Sequence, residues 1–204
     1  MSLESWVTYV VTLSAVSVSP GTGAAAVMAN GLTYGARGAF PVVLGLQLGL
    51  VVYALVVASG LAAVVGHGPI LVALKLAGIA YLAWLGLRAL SARGVLIEVH
   101  RATARRSWLA RFSEGGLVNL TNPKTTVFMA ALFPQFLDIG APLLPQLGLL
   151  LCTLLAIDIA VMMGYAHLAA ALRDWIRDPR RIAWMNRGLG AWFLVLASLL
   201  ALEL

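Results

Sequence analysis

Long apolar segments alternate with short polar segments along almost the whole chain, in the pattern that is typical of membrane-spanning helices. Crossing the hydrocarbon core of a bilayer takes roughly 20 predominantly apolar residues. The segments that satisfy this length are Trp6–Met28, Ala39–Val65, Pro69–Ala89, Phe112–Leu137, Leu143–Leu172 and Ile182–Leu202. The fourth contains Lys124 and the fifth contains Asp158, so these two fit the pattern less well. The pattern predicts an all-α, polytopic membrane protein with six transmembrane helices.

The composition indicates the same class of protein. Of the 204 residues, 61% are hydrophobic and 11% are charged, and the mean hydropathy is +0.94. A soluble domain of this length could not bury so much apolar surface, and a disordered chain would be far more polar. The single cysteine, Cys152, allows neither an intramolecular disulfide nor a cysteine-ligated metal site. The first six residues, MSLESW, contain no basic residue, so we expect no cleaved signal peptide.

The basic residues are distributed asymmetrically across the predicted spans. Of the 14 Lys and Arg residues, all except Lys75 and Lys124 lie at or beside three connections, at 29–38, 90–111 and 173–181. Six spans place these connections on one side of the membrane, and basic loops stay in the cytoplasm. The asymmetry therefore predicts that both termini lie outside. It also explains the net charge of +6 by topology and by contact with anionic lipid head groups, so nucleic acid is not an expected partner.

The central basic connection divides one transporter domain, residues 1–204, into two similar halves. Repeat one covers 1–90, a basic cytoplasmic linker covers 91–111, and repeat two covers 112–204. An odd number of spans in each half makes the second half enter the membrane in the opposite direction, which predicts two inverted three-helix repeats. Proline interrupts the first span of each half, so that helices 1 and 4 are broken. One proline alone is typical of a tolerated kink, whereas paired interruptions in inverted repeats point to a transporter's binding site.

The two interruptions contain residue types that suit a small polar substrate. Proline frees backbone carbonyls, and these need partners at membrane depth. The half-helix that starts after each break presents free N–H groups and the positive end of its dipole, so we expect the two ends to bind an anionic group such as a carboxylate. The candidate substrate-binding residues are Ser17, Ser19, Pro20, Gly21 and Thr22 at the first break and Asn119, Asn122, Pro123 and Lys124 at the second.

Ionisable and polar residues inside the spans are further candidates. Asp158 lies in the middle of the fifth span, where a charge is expensive and usually functional. It is the candidate for proton coupling or for contact with a substrate ammonium, and a structural ion pair with Lys124 is the alternative. Lys124 either adds positive charge beside the break or snorkels to an interface. Gln47 and Tyr165 are candidate pathway-lining residues, with inter-helix hydrogen bonding and interfacial anchoring as their alternatives.

Glycines in the segment NGLTYGARGAFPVVLGLQLG form two pairs with four-residue spacing, Gly31/Gly35 and Gly45/Gly49. This spacing of small residues is typical of helices that pack closely in membranes. We therefore expect both pairs at helix–helix contacts.

The motifs resemble those of the LysE/RhtB family of amino-acid exporters, of the homoserine, threonine and leucine efflux type. The similar stretches are Ser-Pro-Gly at 19–21 with the following NGLTYGARGAF, LKLAGIAYLAWLGLRAL, Asn-Pro-Lys at 122–124, and Asp158 with Tyr165. The resemblance implies a proton-driven secondary exporter of amino acids or small derivatives in the bacterial inner membrane. The charge asymmetry described above places both termini of this multi-pass protein in the periplasm. It implies no enzyme activity and no cofactor. The family's usual Ser-Pro-Gly-Pro is replaced here at Thr22, so the resemblance does not fix the substrate.

Three other functions make different demands on the sequence. A metal-cation exporter on a related six-helix fold requires several acidic or histidine ligands within spans, whereas Asp158 is the single mid-span acid. A membrane thiol–disulfide carrier requires two exchanging cysteines. A non-transporting membrane scaffold does not account for paired breaks with a buried aspartate. The expected partners are thus an amino-acid substrate, protons and the lipid bilayer, with no metal, and homo-oligomerisation stays open.

Overall fold

A computed structural model of the chain describes residues 1–64, 106–138, 140–171 and 179–202, together with separate positions between 73 and 91. Every regular element in these residues is helical. The predicted all-α class is therefore confirmed. Lys75, much of the third predicted span and most of the linker at 91–111 lie outside the described residues.

The helices cover most of five of the six predicted spans, and α2 continues from the first into the second. In chain order they are α1 (Leu3–Val18), α2 (Thr22–Val64), α3 (Trp108–Leu120), α4 (Pro123–Val127), α5 (Leu143–Ala171) and α6 (Pro179–Leu202). A π-helical turn, Phe128–Leu132, and a 3-10 turn, Phe133–Phe136, continue α4. By length and composition, the segments Thr22–Gly60 and Leu143–Ala171 are apolar enough to cross a membrane. The count of six spans and the inverted arrangement of the halves remain predictions.

Both predicted helix interruptions are present. α1 ends at Val18 and α2 begins at Thr22, so the backbone around Pro20 is not helical. α3 ends at Leu120 and α4 begins at Pro123. Proline at the first position of a helix loses no hydrogen bond, because its N–H group would have no helical partner there. Pro123 therefore starts a new helix, and neither proline is a kink inside a continuous one.

A third interruption lies within α2, at Gly35. This residue has φ 74° and ψ 171°, a conformation that glycine adopts without steric cost. The predicted connection at 29–38 is helical on both sides of it. A Cβ atom added to Gly35 would meet no atom within 4 Å. The expectation that Gly35 packs against another helix is therefore wrong, because its backbone bends α2 at this position.

The other three glycines of the predicted pairs do lie at close helix contacts. A Cβ atom on Gly45 would lie 2.9 Å from the carbonyl carbon of Phe112 in α3. On Gly49 it would lie 2.8 Å from Cβ of Asn119 in α3, and on Gly31 it would come equally close to the α5 backbone. A larger side chain at any of these positions would push the helices apart. Because Gly45 and Gly49 have no side chains, α3 packs closely against α2, and the second break at the end of α3 lies beside α2.

The amino-terminal end of α3 is fixed to the turn at Gly35. Arg111 donates to the carbonyl of Gly38, and its guanidinium lies 4.6 Å from the centre of the Tyr34 ring. Glu114 accepts a hydrogen bond from Nδ2 of Asn30 in α2 at 3.4 Å and also forms an ion pair with Arg106 at 3.2 Å. These contacts hold α2 and α3 together at the end of the molecule that carries the basic linker.

The buried apolar side chains form two clusters with a polar layer between them. One cluster includes Val16 and Leu154, and the other includes Ala24 and Met162. Along the first span, the break lies between Val16 and Ala24. Along α5, Asp158 lies between Leu154 and Met162. The fold therefore places the first break and Asp158 in the same layer, between the two apolar clusters.

Candidate functional site

A cavity of about 60 Å³ lies where the two breaks meet the middle of α5. A water molecule needs about 10–15 Å³ on this measure, so the cavity has room for several waters or for part of a small solute. Apolar side chains of the surrounding helices complete its wall. Its polar lining is made by Ser17, Ser19, Asn119, Asn122, Lys124, Thr125 and Asp158.

Most of the predicted site residues are thus brought together, and a few are not. Gly21 and Gly23 also line the cavity. Pro20 is buried in the first break, whereas Thr22 and Pro123 are exposed. These three residues shape the breaks without lining the cavity.

Lys124 reaches from the second break to the first. Its Nζ donates to the carbonyl oxygen of Ser19 at 2.6 Å, which satisfies a carbonyl that lies outside both helices. The side chain passes over Gly21, where an added Cβ would lie 3.7 Å from Cδ of the lysine. Of the two roles that the sequence left open for Lys124, the structure thus shows the position beside the break.

Asp158 lies on α5 and is held by side chains from two other helices. Nε2 of Gln47 donates to Oδ2 of Asp158 at 2.7 Å, and the Ser17 hydroxyl is its second hydrogen-bonding neighbour. Among the described residues, the ion pairs within 4.0 Å are those of Asp138 and Glu114. Asp158 and Lys124 therefore attract each other across the cavity without forming the ion pair that the sequence offered as an alternative.

The contact of Gln47 is an inter-helix hydrogen bond, which was the alternative to its role in lining the pathway. Its side chain is buried, with 6% of the residue exposed. Its Oε1 atom has no hydrogen-bond partner among the described residues. The amide therefore positions the Asp158 carboxyl, and its Oε1 atom is a hydrogen-bond acceptor beside that carboxyl.

Each break is also capped by a tyrosine from the other half of the chain. The Tyr165 hydroxyl donates to the carbonyl of Val18 at 2.6 Å, and the Tyr53 hydroxyl donates to that of Leu120 at 2.8 Å. Val18 and Leu120 are the last residues of α1 and α3, where carbonyls lack helical partners. Tyr165 therefore caps a break, a role that sequence reasoning did not consider for it.

Tyr53 was not predicted, because a single tyrosine in an apolar span is typical of packing. A weak signal was available in the spacing of polar residues in the two halves. Tyr53 follows Gln47 by six residues, and Tyr165 follows Asp158 by seven. The matching order of an amide or acid and then a tyrosine could have identified the pair.

The two asparagines of the second break bind backbone and side chains of the protein itself. Oδ1 of Asn122 accepts a hydrogen bond from the backbone N–H of Lys124 at 3.0 Å, which caps α4. Nδ2 of Asn119 donates to the carbonyl of Leu46, and its Oδ1 accepts from Thr125 at 2.7 Å. One of the N–H groups expected to face a substrate anion is therefore occupied by Asn122. Among the described lining residues, the Lys124 ammonium is the basic group that faces the cavity.

Known proteins resemble the chain over nearly its full length. Residues 14–204 match the family described as LysE type translocator. A homoserine/homoserine lactone efflux protein of Salmonella typhi is 39% identical over 202 residues, and an uncharacterized membrane protein of Vibrio cholerae is 38% identical over 202 residues, each covering 98% of both chains. A chemotactic transduction protein of Pseudomonas aeruginosa is 32% identical over 198 residues, covering 91% of both chains. No solved structure matches the chain.

These matches confirm the family resemblance that the motifs indicated. The family and the apolar helices place the protein in a bacterial membrane. The chain belongs to the LysE type translocator family and is a membrane transporter.

Proposed function

We propose that this protein is a proton-coupled secondary exporter of amino acids or small amino-acid derivatives across the inner membrane. One observation carries the proposal: Lys124 and Asp158 line the same cavity without pairing with each other. An amino-acid zwitterion has the complementary charges, with a carboxylate for Lys124 and an ammonium for Asp158. The relatives named homoserine/homoserine lactone efflux proteins support the same substrate class.

Two opposite charges that do not pair are energetically unfavourable inside a membrane, so their separation requires a functional explanation. Ionisable groups within spans are rare and mostly mark substrate or proton pathways. A direct ion pair would remove part of the cost, yet a cavity separates the two groups. A zwitterion in that cavity neutralises both at once. A metal ion is less suited to the site, since no three His, Cys, Asp or Glu side chains come together among the described residues.

Asp158 is the residue that we propose for proton coupling. Glu114 and Asp138 form ion pairs elsewhere, so Asp158 is the acid that faces the cavity among the described residues. A carboxyl group that binds either a substrate ammonium or a proton makes the two ligands compete, because each lowers the affinity for the other. Competition of this kind links the export of substrate to the inward movement of protons.

The same proposal includes the inverted arrangement of 1–90 and 112–204 around the linker 91–111, with both termini in the periplasm. The matched breaks and the exchanged tyrosine caps support it. Tyr165 of the second half caps the break of the first half, and Tyr53 of the first half caps the break of the second. Two halves related in this way would move relative to each other around the cavity.

Export from bacterial cells loaded with dipeptides tests the function. Cells that produce the protein should release at least one amino acid faster than cells with an empty vector. Asp158→Asn should lower that rate about tenfold or more, since a hydrogen bond to a charged group contributes about 1.5–3 kcal/mol. Glu4→Gln is the matched control, because it removes an acid from the first turn of α1.

Two results would contradict the proposal in different ways. If no amino acid leaves the cells faster than from the vector control, the protein is not an amino-acid exporter. If Asp158→Asn exports at the normal rate and an uncoupler inhibits it as before, Asp158 does not couple transport to protons.

A further inference from the structure

The Lys124 ammonium has hydrogen-bonding capacity that the protein does not use. An ammonium carries three N–H donors, and the contact described for Nζ is the one to the carbonyl of Ser19. That acceptor is neutral, and no carboxylate lies within 4.0 Å of the ammonium among the described residues. The remaining donors are therefore available to a ligand in the cavity.

Three other donors near the second break are already engaged. The backbone N–H of Lys124 is capped by Asn122, and the Thr125 hydroxyl donates to Asn119. Nδ2 of Asn119 donates to the carbonyl of Leu46. Within the described lining, the Lys124 ammonium is the positively charged donor, and a charge-assisted hydrogen bond makes it the group best suited to bind a carboxylate.

The opposite side of the cavity recognises a different part of a substrate. The Asp158 carboxyl, held by Gln47 and Ser17, can bind an ammonium. Every α-amino acid and every ester or lactone derived from it carries that ammonium. Asp158 therefore cannot distinguish an acid from its lactone, whereas a group that binds the carboxylate can.

On the basis of the exporter function above, we propose that Lys124 is the residue that selects substrates with a free carboxylate over derivatives without one. Homoserine and homoserine lactone are the sharpest probe pair, because ring closure removes the carboxylate and keeps the ammonium. Both molecules appear in the name of a relative of this chain, the homoserine/homoserine lactone efflux protein. Lys124 binds the carboxylate of homoserine, while the lactone is held through Asp158 and leaves the lysine on Ser19.

The expected effect follows from the strength of one charge-assisted contact. Such a hydrogen bond is roughly twice as strong as a neutral one, and its loss corresponds to about a tenfold to hundredfold change in an affinity ratio. Lys124→Met removes the charge and keeps the length of the side chain. It should lower the ratio of kcat/KM for homoserine to kcat/KM for the lactone by this factor, because the lost contact with Ser19 affects transport of both substrates.

Purified protein in proteoliposomes, with labelled homoserine and labelled lactone, measures both values. Mildly acidic buffer keeps the lactone ring closed. Lys124→Arg retains the positive charge and should keep the preference for homoserine. Asp158→Asn should lower transport of both molecules by a similar factor, so that their ratio stays constant.

A structural role of Lys124 predicts a different pattern. If the lysine only supports the first break through Ser19, Lys124→Met will lower kcat/KM for both substrates by the same factor. That result would overturn the proposal while the exporter function stands. The wild-type protein provides a second measurement if the variant does not fold. Homoserine should raise its melting temperature more than the lactone does at equal concentration, and an equal shift would also overturn the selection by Lys124. Transport of neither molecule by the wild type would refute both proposals for this pair.

Discussion

Replacing Gly45 by alanine adds one methyl group where α2 packs tightly against α3. The new Cβ would lie 2.8 Å from the backbone nitrogen of Gly116 and 2.9 Å from the carbonyl carbon of Phe112. Both obstacles are backbone atoms within a helix, so they cannot rotate away as a flexible side chain could. The two helices must separate to admit the methyl group.

The magnitude can be worked out against a matched control. Overpacking of a tight contact costs about 1–3 kcal/mol, and alanine recovers up to about 1 kcal/mol through its helix propensity. At Gly164 in α5, an added Cβ would meet no atom within 4 Å, so Gly164→Ala receives the propensity gain alone. The two variants should therefore differ by about 1–3 kcal/mol, which corresponds to roughly 2–12 °C in Tm for a chain of this size.

Thermal unfolding of the purified protein in detergent, followed by size-exclusion chromatography of a fluorescent fusion, measures this difference. Gly45→Ala should melt below the wild type and Gly164→Ala at or slightly above it. Export should fall with the first variant as well, because α3 carries Asn119 into the cavity wall. Equal melting temperatures for the two alanine variants would refute the close approach of α2 and α3.

Two further predictions concern the caps and the topology. Tyr165→Phe removes the hydroxyl that satisfies the carbonyl of Val18, so it should destabilise the protein by about 1–3 kcal/mol and lower export; unchanged melting and transport would show that the cap is dispensable. Tyr53→Phe should have a similar effect, because it removes the hydroxyl that binds the carbonyl of Leu120. The double variant should be destabilised more than either single variant. An alkaline phosphatase fusion at Leu204 should be active, because this end is expected in the periplasm. An inactive phosphatase fusion, together with a fluorescent-protein fusion at Leu204 that shows a cytoplasmic location, would contradict the six-span topology.

The sequence by itself determined the properties that depend on local composition. Apolar length predicted the membrane class, and Pro20 and Pro123 predicted the positions of both breaks, because proline cannot continue a hydrogen-bonded helix. The rarity of charge inside a span identified Lys124 and Asp158 as candidates for the site. Each of these inferences uses residues within one segment. In the fold, helices end at both predicted breaks, and Lys124 and Asp158 line one cavity.

Only the tertiary structure decided which of these groups meet. Gly35 has the same neighbours in sequence whether it packs or turns, and its φ of 74° belongs to the bend within α2 that the folded chain adopts. The contacts Tyr165–Val18, Tyr53–Leu120 and Gln47–Asp158 join residues far apart in the chain. No local pattern specifies such distances.

The separation of Lys124 from Asp158 is the clearest case. The sequence allowed an ion pair, because opposite charges in a low-dielectric region attract strongly. The folded chain instead holds the ammonium on the carbonyl of Ser19 and the carboxyl on Gln47, with a cavity between them. Local composition placed both ionisable residues in apolar segments, and the packing of helices around the breaks leaves a cavity between them.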